Sequence, residues 1–90
     1  MCWFVYMILC SDNTLYTGIS NDVLRRFSQH ADKQGAKYFR GRSPKRLVYV
    51  EGGHDHSSAA KREVVIKKLS RDRKMQLIES VLNEAERFLC

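Results

Sequence analysis

Residues 3 to 10, WFVYMILC, are apolar on both alternating faces. Phe4, Tyr6 and Ile8 fall on one, and Trp3, Val5, Met7 and Leu9 on the other. That pattern predicts a strand buried on both sides. Ser11-Asp12-Asn13 is turn chemistry, and TLYTGIS, residues 14 to 20, is the returning strand. The period then lengthens. Val23, Phe27 and Ala31 make the inward stripe of a helix capped by Ser20 or Asn21, with Asp22 in its first turn where an acid suits the dipole. ADKQGAKYFRGRSPK, residues 31 to 45, is a basic loop punctuated by Gly35, Gly41 and Pro44. RLVYVE, residues 46 to 51, is a third strand. Ser57 and Ser58 open a second helix ending near Leu69. Ser70 caps a third, in which Met75, Ile78, Leu82, Ala85 and Leu89 repeat at helical spacing. The order β-β-α-β-α-α predicts a small three-stranded antiparallel sheet covered by helices, an α+β domain.

The first turn decides where two tyrosines go. A three-residue turn sets Tyr6 opposite Gly18 and Ile8 opposite Tyr16, so Tyr6 and Tyr16 share a face as diagonal neighbours. A two-residue turn puts them on opposite faces.

Composition narrows the class. Ninety residues with 43% hydrophobic content and one proline make one folded domain, 1–90, with a single modest core. No run approaches the ~18 apolar residues of a membrane span. The opening MCWFVYMILC lacks the basic region and cleavage site of a signal peptide. Cys2 and Cys10 stand at opposite ends of one strand, beyond disulfide reach. With Cys90 they read as free thiols in a reducing cytoplasm.

Charge adds more. The net is +6, and the excess is clustered. Arg25 to Arg46 holds eight Lys or Arg against Asp32, and Lys61 to Lys74 holds seven against Glu63 and Asp72. Clustered positive charge points to a polyanion, most simply nucleic acid. Lysine-rich solvated helix faces are the plain alternative.

Several side chains could do chemistry on such a partner. Arg26 and His30, one turn apart beside the apolar stripe, can hold a phosphate, or can simply be solvated. Glu63 has Ala59, Ala60 and Ile66 as helical neighbours, so its carboxylate is aimed partly inward. It can hold a divalent cation completed by water and phosphate oxygens, or pair with Lys67 at i+4. Lys37, Tyr38, Phe39, Arg40 and Arg42 interleave aromatics with cations, which suits a stacked base beside a phosphate. Phe39 or Tyr38 can equally close the core. GGHDHSS offers His54 and His56 but no third zinc ligand.

Taken together, Val5-Tyr6-Met7, Tyr16-Thr17-Gly18, Arg26, His30 and Glu63 on a later helix resemble the GIY-YIG nuclease family. VYMILCSDNTLYTGISNDVLRRFSQH, GAKYFRGRSPKRLVY and AAKREVVIKKLSRDRKMQLI are similar to its small single-domain bacterial branch. The resemblance implies a three-stranded antiparallel sheet with flanking helices. It also implies a divalent-metal endonuclease using Mg²⁺ or Mn²⁺, with Glu63 as the one protein ligand. In that reading Arg26 binds the scissile phosphate, Tyr6 takes the water's proton, Tyr16 positions it, and His30 bonds a tyrosine or a phosphate oxygen. Lys37, Tyr38, Arg40, Arg42 and Lys67 bind the strand. DNA, single-stranded or structured, is expected ahead of RNA, with no small-molecule cofactor. The chain departs from the family pattern in three places. The first motif lacks its glycine, Thr17 replaces isoleucine, and Ile19 stands where excision-repair relatives carry lysine. Asn83, on the last helix, has no secure family equivalent. An inactive nucleic-acid-binding module of the same fold, or a protein-interaction domain using its last helix, are the rival readings.

Overall fold

Trp3–Cys10 (β1) is the middle strand of a three-stranded antiparallel sheet, between Leu15–Ser20 (β2) and Pro44–His54 (β3). This computed structural model describes residues 2–32, 39 and 41–88. The central place of β1 explains its two-sided apolarity. Tyr6, Ile8 and Cys10 pack on one side with Val23, Phe39, Leu47 and Val50, beneath the helix Val23–Ala31 (α1). Val5 and Met7 pack on the other with Tyr49, Ala59 and Ile66, beneath His56–Lys67 (α2) and Arg71–Ile78 (α3). Val5, Tyr6, Met7 and Ile8 are all at most 1% exposed. Burying each such side chain is worth about 1.5–3 kcal/mol.

The turn after β1 is the three-residue one. Cys10 N–H donates to Thr14 O at 2.9 Å, and Asn13 N–H donates to Cys10 O at 2.9 Å. Asn13 takes φ 69°, the left-handed conformation that closes such a loop. The register follows: Tyr6 lies opposite Gly18, and Ile8 opposite Tyr16.

Helix starts differ from the sequence expectation. Asp22 itself caps α1, accepting from Arg25 N–H at 3.2 Å, because Ser20 Oγ is already taken by Asp22 N–H at 2.9 Å. Asp55 caps α2, in a reciprocal box with Ser58, so the helix begins at His56 rather than at the serines. Ser70 caps α3 as expected. Within α1, Ala31 is exposed and His30 takes the inward place instead.

α3 stops at Ile78, short of the helix expected to run on through Ala85 and Leu89. The reason lies at the free edge of β3. Asn83 donates through Nδ2 to Val48 O (2.9 Å) and Ile78 O (2.7 Å), and accepts through Oδ1 from Val50 and Ala85 N–H. Glu84 N–H donates to Val50 O at 2.7 Å, and its carboxylate accepts from Gly52 N–H at 2.9 Å. The chain leaves the helix to pair with an edge strand that otherwise exposes its donors and acceptors. Asn83 is therefore a structural clasp in a turn, not a helical residue. A 3₁₀ turn, Ala85–Phe88, follows. Cys2 and Cys10 are both free thiols, and Leu89 and Cys90 lie outside the described residues.

Candidate active site

The site is built along β2, one edge of the sheet. Gly18 makes it reachable. A Cβ there would meet Tyr6 Oη at 2.7 Å, Tyr6 Cζ at 2.8 Å and Tyr16 Cε2 at 3.1 Å. The Tyr6 ring thus lies across the backbone of Gly18, toward the edge. Only glycine leaves that path open.

Tyr6 Oη lies 3.0 Å from His30 Nε2, a buried hydrogen bond between β1 and α1. The Tyr6 and Tyr16 ring centres are 6.3 Å apart, and His30 lies 5.2 Å from Tyr16, nearly edge-on. Phe39 closes the group from the loop side, 4.9 Å from Tyr16 and 4.4 Å from His30. It is 1% exposed, so it serves the core and not a stacked base.

The electrostatics follow from burial. Desolvation, helped by the Arg26 charge, holds the His30 imidazole down to about 4, so it is neutral near pH 7. Burial, then the neighbouring Tyr16, pushes the Tyr6 phenol well above its ordinary 10, while Arg26 pulls it back by charge and hydrogen bonding. Tyr16 is also raised, chiefly by burial. The charges of Lys67 and Arg26 and hydrogen bonding to Tyr6 work the other way. The Glu63 charge raises both phenols. The arrangement therefore brings together five of the expected residues, Tyr6, Tyr16, Arg26, His30 and Glu63.

Arg26 is held in place by Gln29, whose Oε1 accepts from its Nη1 at 3.0 Å. Glu63 pairs with Lys67, Oε2 to Nζ 3.3 Å, with the carboxylate side chain 22% exposed. The i+4 pair and the inward aim are thus both present. Among the described residues no group of three or more His, Cys, Asp or Glu could hold a metal. A single, partly accessible carboxylate suits a hard cation that keeps most of its waters and takes the rest of its ligands from phosphate. The residues fit such an ion, with Lys67 the group that must swing aside.

Of the expected strand-binding residues, Lys37, Tyr38 and Arg40 lie outside the described residues. Arg42 reaches Asp12, Nε to Oδ2 2.9 Å, and so helps fasten its loop to the first turn, where Ser11 N–H donates to Ser43 O at 2.8 Å. His54 binds Glu51 and Ser58, and His56 packs edge-on against Trp3, so the two histidines do not converge on a metal.

One cluster escaped the sequence reading. Glu51 is 9% exposed and accepts from Tyr49 Oη at 2.5 Å and from Arg62 Nε at 3.0 and 3.1 Å, with His54 Nε2 at 2.7 Å. Burial opposes its ionisation, but the bonds from Tyr49 and His54 and the Arg62 charge outweigh that and hold it below the usual carboxylate range. Arg62 thereby ties α2 to β3, next door to Glu63. The alternation that puts Glu51 on the face of buried Tyr49 was the available signal.

Residues 2–76 match the model of the GIY-YIG catalytic domain. The chain belongs to the GIY-YIG family. Its relatives are UPF0213 proteins. One from Desulfotalea psychrophila is 48% identical over 79 residues, covering 87% of this chain and 72% of that one. Another from Clostridium perfringens is 44% identical over 85 residues, covering 94% and 91%. The solution NMR structure of a UPF0213 protein from Bacillus halodurans matches with a TM-score of 0.58 at 40% identity, over 98% of this chain and 94% of that one. The GIY-YIG domain implies a nuclease-type function and a nucleic-acid partner, and GIY-YIG nucleases generally use a divalent metal. No helix among the described residues is long and apolar enough to cross a membrane.

Proposed function

We propose that this chain is a divalent-metal-dependent endonuclease that hydrolyses phosphodiester bonds in DNA, with single-stranded or structured DNA as its substrate. The observation that carries the reading is the buried Tyr6–His30 bond, with Arg26 and Glu63 both acting on the same phenol.

Hydrolysis needs an oriented water, a sink for charge on the phosphate and a place for the water's proton. Arg26, steadied by Gln29, offers a planar fork to the scissile phosphate. A phenol this far above 10 does not ionise alone at neutral pH. It works instead as a relay: the water's proton passes to Tyr6 Oη as the Tyr6 proton passes to His30 Nε2. The His30 imidazolium, disfavoured by a pKa of about 4 in the free protein, is stabilised by the negative phosphate of the bound strand. Tyr16 holds Tyr6 on its open side. Mg²⁺ or Mn²⁺ on Glu63 would supply Lewis acidity toward the leaving 3′ oxygen.

The Glu63–Lys67 pair favours one rival, a module of the same fold that binds nucleic acid and leaves it whole. Incubating labelled single-stranded, duplex and branched DNA, and RNA, with Mg²⁺, Mn²⁺ or EDTA separates the two. Cleavage of DNA that EDTA abolishes supports the enzyme. Binding without cleavage of any substrate supports the module.

A further inference from the structure

Arg26 has a second surroundings besides the tyrosines. A groove of about 290 Å³ runs from the end of β2 onto α1, lined by Trp3 and Ile19 on one side and by Asn21, Arg25, Arg26 and Gln29 on the other. Its apolar lining comes from Trp3 and Ile19. Trp3 and Ile19 sit on the same face of the sheet, and His56 braces the Trp3 ring edge-on at 4.6 Å. Its wall is cationic. Among the described residues no ion pair engages Arg25 or Arg26. Ser20 and Asp22 line it too, and the Asp22 carboxylate accepts from the Arg25 backbone N–H.

We propose that this groove is a nucleobase pocket, which takes the unpaired base next to the phosphate held by Arg26 and stacks it on Trp3. The proposal rests on the nuclease reading for Arg26 and adds where one base of that substrate is held. The volume, at the lower end for small-molecule sites, suits one base rather than a duplex. An aromatic floor beside arginines is how proteins hold single strands, because every base has a π-face and every nucleotide a phosphate. The Asn21 and Gln29 amides, which line the groove, can bond a base edge. A paired base already has its edge and both faces occupied, so the pocket selects unpaired nucleotides. Of the two loop aromatics expected to stack a base, Phe39 is buried in the core, and Tyr38 lies outside the described residues.

Trp3 is the chain's one tryptophan, so its emission reports the pocket alone. The full chain is titrated in EDTA with a single-stranded 12-mer deoxyoligonucleotide, following Trp3 emission. Anisotropy of a labelled copy is followed in parallel, and an abasic strand of equal length serves as control. The expected result is saturable quenching with the anisotropy midpoint, and little quenching by the abasic strand. Trp3→Leu weakens binding of the ordinary strand about tenfold and of the abasic strand hardly at all. A strand that binds while Trp3 emission stays unchanged, or an abasic strand that quenches equally, overturns the pocket and leaves the nuclease reading intact. Quenching by a protein that never cleaves does the reverse. Failure of any strand to bind overturns both.

Discussion

His30 Nε2 lies 3.0 Å from Tyr6 Oη, and both side chains are at most 1% exposed. A strand and a helix 24 residues apart are thus joined through two neutral titratable groups. The imidazole, held down to about 4 in the fold, ordinarily takes its proton at 6.5, so unfolding favours protonation between those values. Stability from His30 is complete above pH 6.5 and is lost as pH falls toward 4. The loss by pH 4.5 should be on the order of 2–3 kcal/mol. Melting temperatures from pH 7.5 to 4.5 should decline for the wild type and decline less for His30→Gln, whose remaining loss comes from depressed carboxylates such as Glu51. Equal declines would place the proton elsewhere.

Gly18→Ala puts a methyl 2.7 Å from Tyr6 Oη. The crowding should cost about 1–3 kcal/mol. Because the nearest atom is the hydroxyl oxygen, Tyr6→Phe should recover part of that loss when combined with Gly18→Ala. A double-mutant cycle by urea denaturation measures the coupling. Additive effects would mean that the tyrosine does not cross Gly18 as described.

Two glutamates one helix apart should behave oppositely. Glu51→Gln leaves Arg62 without its charged partner in a closed cluster and should cost about 3 kcal/mol. Glu63→Gln removes one partly exposed ion pair and should change stability by less than about 0.5 kcal/mol. Thermal melts of the two variants decide this. An unfolded Glu63→Gln makes that carboxylate structural and removes the main support for a metal there.

Thr17 Oγ1 is buried with no hydrogen-bond partner among the described residues, on a side chain 3% exposed. Thr17→Val keeps the shape and removes the stranded hydroxyl. It should raise stability by about 1 kcal/mol, seen as a higher urea midpoint at unchanged slope. A lower midpoint would show that the hydroxyl is satisfied.

The strands were legible because two-sided apolarity is a strong signal. Asn13 in a three-residue turn settled the register that the alternation alone left open. The family pattern picks out Tyr6, Tyr16, Arg26, His30 and Glu63 as a set. His30 was not legible as a core residue, because its burial depends on Tyr6, Tyr16 and Phe39 arriving from three other segments. The end of α3 was hidden for a similar reason. Leu82 and Ala85 keep the helical period, but Asn83 and Glu84 gain more by binding the β3 edge. The groove beside Trp3 has no local signature, since it exists only where β1, β2 and α1 meet.

The central claim is that the Tyr6–His30 relay, Arg26 and Glu63 act on one phosphodiester. Its most direct test is single-turnover cleavage of labelled single-stranded DNA in Mg²⁺ by wild type, Tyr6→Phe and Glu63→Gln, with binding measured for each. Tyr6→Phe keeps the ring and loses only the proton path, and general-base catalysis typically supplies ~10²–10⁴-fold. The account predicts that both variants bind within about threefold of wild type and cleave at least ~10²-fold more slowly. Wild-type rates in both variants would contradict it, as would a wild type that binds the strand and leaves it whole.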